Sequence, residues 1–268
     1  MKIFNTFNIP QKYKKSVIAV GNFDGIHLGH KKVLYHAKKV SKIKKIKFGI
    51  LTFEPIPVMF FNRNIKNHRI NSLEQKKKQL LKIANFIILK KFDKTFSKLS
   101  HDYFVKKIIN EKIDAKYIFV SKNFRYGRNR LGNVKNLKKL EKNFNYKTVI
   151  TKPLKKKNKT ISSSKIRKFL RQGKIKEANL FLGKKWSVTG KVEKGDQRGR
   201  KLGFPTCNLD LKDYVIPKFG VYAVDVMLNN TNLKKGIANV GIRPTFKGKK
   251  LLLEVHIFGI KKNLYGKH

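Results

Sequence analysis

Cysteine is almost missing: Cys207 stands alone in 268 residues. One thiol makes no internal disulfide and no cysteine metal cluster, which excludes a disulfide-stapled secreted scaffold and a zinc finger. No apolar run approaches the roughly 20 residues that a membrane helix needs. Met1–Pro10 has no apolar stretch ahead of a small-residue cleavage site, so neither a signal peptide nor a membrane partner is expected, and the cytoplasm is the default location. Internal repeats are absent too. Acidic residues are few, 15 against 65 lysines and arginines, for a formal charge of +50. That excess invites a nucleic-acid reading. Yet 55 of the 65 basic residues are lysine and only 10 are arginine, whose planar fork grips phosphates and base edges better. The lysines are spread through every segment, Lys, Asn, Ile and Phe abound, and Ala is scarce, as an A/T-biased coding sequence would give. We therefore expect a solvated lysine surface with weak, salt-sensitive attraction to polyanions and no specific nucleic-acid partner.

What is present describes a globular chain long enough for two cores, with 40% hydrophobic residues spread along it. Strand-like runs at Ser16–Gly21, Lys47–Phe53, Asn85–Phe92, Ala115–Val120 and Tyr146–Thr151 alternate with helical segments. These are His30–Val40, Ser72–Ala84, Leu99–Ile109 and Val134–Phe144. Such alternation predicts an α/β fold with a parallel sheet covered on both faces. Ser164 is placed to cap a helix over Lys165–Gln172, with Gly173 past its end. From Trp186 the rhythm changes. Short β-like runs at Trp186–Glu193, Gly220–Asn230, Lys234–Val240 and Leu251–Phe258 predict an antiparallel barrel or sandwich. The expected domains are residues 1–182 and 183–268.

Two strings carry the chemistry of the first part. Gly21-Asn22-Phe23-Asp24-Gly25-Ile26-His27-Leu28-Gly29-His30 follows the first strand and opens the first long helix. Helix starts offer unpaired N–H groups and a positive dipole end, which favour phosphate. His27 and His30, three apart, can face one ligand and stabilise charge building on a phosphate. Paired histidines near a turn are also ordinary hydrogen bonders. The second string, Ile161-Ser162-Ser163-Ser164-Lys165-Ile166-Arg167, sets three hydroxyls and an arginine at a later helix start: a second phosphate grip, or simply a capped helix with a basic first turn.

Together these strings resemble the nucleotidyltransferase superfamily, whose members use direct in-line attack; no obvious nucleophile stands here either. Two further strings, Phe53-Glu54-Pro55-Ile56-Pro57 and Asn123-Phe124-Arg125-Tyr126-Gly127, resemble those of the bacterial bifunctional riboflavin kinase/FMN adenylyltransferase family. The resemblance implies a Rossmann-like first domain. It implies flavin beside Phe53, Pro55 and Pro57, and nucleotide beside Gly21, Asn22, Phe23, Asp24, Gly25, Asn123, Ser163 and Ser164, with His27, His30 and Arg167 acting on the reaction. Ser121 stands where the wider pattern often has Gly.

The string from Gly190 to Asn208 is glycine-rich and basic, so its backbone N–H groups can cradle phosphates. It is no Walker A motif, because the Gly-Lys-Ser/Thr ending is missing. It resembles the riboflavin-kinase family, as do Gly220–Ala223, Asn239–Phe246 and Glu254–Phe258. The resemblance implies nucleotide contacts at Gly195, Gly199, Lys201 and Gly203 and Mg²⁺ ligation by Thr206 and Asn208, hard oxygen donors of the kind Mg²⁺ takes. It further implies a flavin contact at Arg243 and a general base in Glu254. The substrates and products implied are riboflavin, FMN, ATP and FAD. In the family a further strand and a helix follow the segment Leu264-Tyr265-Gly266, whereas this sequence stops at His268, so the barrel is expected to be incomplete. The leading expectation is a two-step enzyme that makes FMN and then FAD. The alternatives are an adenylyltransferase with a crippled kinase module, and a basic nucleic-acid-binding protein on a nucleotidyltransferase-like core.

Overall fold

The computed structural model describes residues 2–62, 64–156, 158–194, 204–228, 233–245, 248–260 and 263–268, leaving aside the side chains of 243–245 and 248–250. The chain forms two compact units. One gathers Met1–Ile65, Leu73–Ser163 and Phe181–Gly183; the other gathers Lys66–Ser72, Ser164–Leu180 and Lys184–His268.

The first unit is built on six strands: β1 (Lys2–Phe4), β2 (Val17–Val20), β3 (Phe48–Glu54), β4 (Phe86–Lys91), β5 (Tyr117–Ser121) and β6 (Lys147–Thr151). Their order in the sheet is β1-β4-β3-β2-β5-β6, and every pairing is parallel. All of β2 and nearly all of β3 are buried, as the near-unbroken apolar runs Val17–Val20 and Phe48–Phe53 require of central strands covered on both sides. Successive residues take opposite faces. Val17 and Ala19 join a core with Val33, Leu34 and Ala37 of helix α1 (Leu28–Ile43), while Ile18 and Val20 join one with Phe104, Val105 and Ile108. From β2 the chain winds through β3 to β4, then returns to lay β5 on the other flank of β2. The winding reverses at β2, and its carboxyl end therefore opens the crevice where such sheets bind ligands. Helices α2 (Pro57–Phe61) and α3 (Leu73–Leu81) lie between β3 and β4 in the chain.

The second unit carries an antiparallel sheet of β7 (Thr206–Leu209), β8 (Gly220–Met227), β9 (Leu233–Thr245) and β10 (Gly248–Ile257), ordered β7-β10-β9-β8. One face packs Cys207, Leu209, Tyr222, Ala238, Val240, Leu253 and Val255 against Leu211 and Tyr214. Helix α4 (Ser163–Arg171) begins one residue ahead of the expected cap, so Ser164 sits in its first turn.

Several expectations need correction. Trp186–Glu193 is not a strand; only Glu193 bridges, to Asn208. Its polar groups are drawn elsewhere: the Trp186 N–H donates to Asn179 Oδ1, its indole N–H donates to the Ile70 carbonyl, and Thr189 N–H donates to the Tyr214 hydroxyl. Val134–Phe144 breaks at Leu140 into two short helices. Phe104–Lys112 is wound wider than an α-helix, with the Ile113 N–H reaching back five residues to Ile108. Helix α5 (Ile175–Leu182) and edge strand β1 were not expected at all.

Gly49 shows how tightly the first core is filled. A Cβ on it would lie 2.2 Å from the Phe86 ring, which is wholly buried. Gly49→Ala is expected to destabilise by about 1–3 kcal/mol through overpacking. Thermal unfolding checks this, and an unchanged midpoint would contradict it.

Candidate active sites

The loop from β2 into α1 is the most constrained stretch of the first unit. Phe23, Gly25 and Ile26 all take positive φ, at 49°, 82° and 44°. Two of them are non-glycine residues in a conformation that side chains rarely adopt, a strain tolerated only where the surroundings hold it. Those surroundings are visible. The side chains of Phe23 and Ile26 are buried, the Gly21 N–H donates to the Leu51 carbonyl at 3.1 Å, and Thr52 Oγ1 donates to the Asn22 carbonyl at 3.2 Å. Ser163 Oγ donates to the Asp24 carbonyl at 2.9 Å, so the Ser-rich string and the glycine-rich loop meet there.

His27 caps α1. Its Nδ1 accepts the His30 N–H at 3.2 Å. An accepting nitrogen carries no proton, which puts the ring hydrogen on Nε2. The two imidazoles stack 3.6 Å apart at 16°, and Phe23 closes on His30 edge-on at 5.4 Å. Burial, then His27, then the Lys76 ammonium hold the His30 imidazole well below the usual histidine range, so it is neutral at physiological pH. Its Nδ1 is buried with no hydrogen-bond partner among the described residues. Gly29 fits closely here: a Cβ on it would come within 3.1 Å of the His27 ring, which would have to yield by a few tenths of an ångström.

The other strings of this unit emerge from the strands flanking β2. Phe53 is the penultimate residue of β3, buried against Phe92 and Phe96 with ring centroids 6.0 and 5.4 Å away. Pro55 follows a cis peptide bond, and Pro57 starts α2. Asn123 lies exposed in a turn beyond β5, closed by the Phe124 N–H on the Ser121 carbonyl at 3.0 Å. The glycine-rich loop, Phe53–Pro57 and Asn123 thus share the carboxyl ends of adjacent strands. Ser164 and Arg167 belong to the second unit, where the Arg167 guanidinium donates to Ser164 Oγ at 3.4 Å. Sequence reasoning missed Lys76, a buried lysine of α3 whose Nζ donates to the Phe53 carbonyl at 3.3 Å. The run Lys76–Lys78 hid it, because one buried lysine reads like its solvated neighbours; the helical face it shares with buried Leu80 was the available signal.

In the second unit the sheet register sets a polar face opposite the core. Asn208, Glu254, Asn239 and Val221 form one row across the four strands, and Thr206, His256, Ile237 and Ala223 the next. Asn208 is buried, and its Oδ1 has no hydrogen-bond partner among the described residues. With Thr206 two residues away on the same face and Glu254 beside it, the donors are hard oxygens that fit Mg²⁺. The described residues hold no group of three or more His, Cys, Asp or Glu side chains suited to a metal. A cation here would therefore complete its shell with water and phosphate, as Mg²⁺ does. His256 Nδ1 pairs with the Pro205 carbonyl at 2.9 Å, which makes it the protonated ring nitrogen and ties β7 to β10. Burial raises the Cys207 thiol above its ordinary value, and Cys207 faces the core. Gly195, Gly199, Lys201 and Gly203 lie outside the described residues; Arg243 pairs with Lys250 in register, and its side chain is likewise outside them.

Comparison with known proteins now decides the family. Residues 9–165 match the model of FAD synthetase and residues 182–268 that of riboflavin kinase. The chain belongs to the bifunctional riboflavin kinase/FMN adenylyltransferase family. It is 38% identical to the protein of that description from Buchnera aphidicola subsp. Acyrthosiphon pisum, over 97% of this chain and 84% of that one. It is 31% identical to the Escherichia coli K12 protein so described, over 99% of this chain and 85% of that one. A solved structure described as a macrolide-efflux protein from Streptococcus pneumoniae superposes with a TM-score of 0.85 at 28% identity, covering 99% of this chain and 86% of that one. Its description stands apart from the family models and the curated relatives, which agree with one another. No helix of the described residues is long and apolar enough to cross a membrane.

The second unit also holds a pH-sensitive group. Partial burial, then Arg167, Arg171 and Arg69, push the His68 imidazole from 6.5 down to about 4. An imidazole that binds its proton less well folded than unfolded makes the unfolded chain the better proton acceptor. Stability therefore falls as pH drops from 6.5 toward about 4. Melting temperatures across that window are expected to decline less steeply in His68→Gln than in the parent. Equal slopes would refute this.

Proposed function

We propose that the first unit joins AMP from ATP to FMN at the loop between β2 and α1, and that the second phosphorylates riboflavin on the polar face of its sheet. The chain is a transferase of flavin cofactor synthesis, with nucleotidyltransferase and kinase activities, using riboflavin, FMN and ATP. The observation that carries the site assignment is the stacked His27–His30 pair, capping α1 at the point where the sheet reverses its winding.

In adenylyl transfer an FMN phosphate oxygen attacks the α-phosphorus of ATP, the bond from that phosphorus to the bridging oxygen breaks, and pyrophosphate leaves. The enzyme need supply no nucleophile. The His27 tautomer leaves Nε2–H as a donor toward charge developing on the α-phosphate. His30, neutral and stacked, adds a second donor without a repelling like charge. The N–H groups at the start of α1, Gly25 and Asp24 of the loop and Ser163 hold the polyphosphate; the family resemblance adds Ser164 as a nucleotide contact and Arg167 as a residue acting on the reaction. Phe53, Pro55 and Pro57 border the flavin, and Asn123 the adenosine. These loops leave rigid strand ends, so both reactants are held for in-line attack.

In the kinase unit Glu254 removes the proton from the terminal ribityl hydroxyl, whose oxygen attacks the γ-phosphorus while ADP leaves. Thr206 and Asn208 would hold Mg²⁺, which when bound neutralises phosphate charge. Gly195, Gly199, Lys201 and Gly203 cradle the phosphates, and Arg243 borders the flavin. The lysine-rich surface serves no specific nucleic acid, and the cytoplasm is the setting.

His27→Ala and His30→Ala are each expected to lower FAD formation from FMN and ATP about 10²–10³-fold, the effect of removing one such donor. Riboflavin phosphorylation should survive in the same preparations. Glu254→Gln should show the reverse pattern. Wild-type FAD synthesis in both histidine variants would overturn the assignment.

A further inference from the structure

Of the described lysines, Lys76 alone is buried, 3% exposed. An A/T-biased composition accounts for lysine on a tolerant surface but not in a core, because an ammonium withdrawn from water is costly unless polar groups receive it. Helix α3 separates the two cases. Lys77, one position on, pairs in solvent with Glu74 at 2.7 Å, while Lys76 turns inward on the face of Leu80. A leucine or methionine would fill that face without an ammonium to bury. What the ammonium does is specific: its Nζ donates to the Phe53 carbonyl at 3.3 Å, where the flavin-bordering string begins, and its charge is felt at His30.

Resting on the adenylyl-transfer reading above, we infer that Lys76 is a positioning residue of that reaction: it fastens the end of β3 beside the His27–His30 pair and so sets the acceptor phosphate against the α-phosphate of ATP. One cation then acts on two parts of the site. The hydrogen bond fixes the backbone from which Pro55 and Pro57 continue. The positive charge opposes protonation of His30, so that ring enters the stack neutral.

Lys76→Met keeps the length of the stem and removes the charge; Lys76→Arg keeps the charge. In Lys76→Met the KM for FMN is expected to rise at least about tenfold with a smaller fall in kcat, the KM for ATP staying within about threefold. Lys76→Arg should recover most of the loss. Riboflavin phosphorylation, measured on the same samples, should not change. By NMR, the His30 ring protons should titrate at higher pH in Lys76→Met than in the parent or in Lys76→Arg. If Lys76→Met does not fold, Lys76→Gln takes its place in each comparison. Unchanged FMN saturation with unchanged His30 titration in a folded neutral variant overturns the proposal, as does an equal loss for FMN and ATP. Should the parent itself make no FAD, the site reading fails, and the His30 titration still decides whether Lys76 acts on the histidine pair.

Discussion

The hydrogen bond from the His30 N–H to the His27 ring nitrogen holds the first site in one arrangement. It spends an otherwise unpaired amide at the start of α1, and that amide cannot be satisfied by helix geometry. It fixes the tautomer of His27 and brings the second ring into a stack 3.6 Å away. Gly29 lets the His27 ring pass, and the positive φ of Phe23, Gly25 and Ile26 turns the chain tightly enough for the cap to form. Protonation of that ring nitrogen would break the cap, and a charge on either ring would repel its partner. Burial and Lys76 work against protonation of His30, so the second ring stays neutral within the stack.

Much of this was legible because the sequence states its constraints locally. The run Val17–Val20, continuous rather than alternating, is the mark of a strand buried on both faces, and the loop after it needs glycine where the backbone turns. The parallel sheet, the antiparallel second sheet and the histidine pair follow from such patterns. The Trp186–Glu193 stretch misled because its apolar–polar rhythm is that of a strand, while its backbone and indole donors find Asn179 and Ile70, partners no local pattern announces. Edge strand β1 is three residues long and half exposed, too short for periodicity to speak. The polar row Asn208–Glu254–Asn239 was legible only in part. Motifs named Asn208 and Glu254, but their adjacency comes from register across strands some 45 residues apart by position in the sequence.

The two sites solve the same difficulty differently. On the proposed reading both hold a polyphosphate, yet one is built on a helix start and the other on a sheet face. In the first, N–H groups and the histidine pair would meet the anion, with the backbone supplying much of the grip. In the second, neutral and acidic oxygens line the row, a set that by itself repels phosphate and that a bound cation would reconcile with it. The lone pair on the buried Asn208 Oδ1 fits this logic: an acceptor left unmatched among the described residues is costly until something electropositive meets it.

Charge in this chain therefore has to be read by burial rather than by count. A total of +50 says little, since an exposed lysine is screened within about a Debye length and contributes as much to a bystander surface as to a site. Lys76 carries the same formal charge as its neighbours, but in a low-dielectric setting its field reaches His30 and its hydrogen bond fixes Phe53. The same reasoning applies to Arg167, buried midway along α4 and joined to Ser164, against exposed Arg125 and Arg128. In a sequence crowded with one residue type, the members to examine first for a role are those that the fold buries.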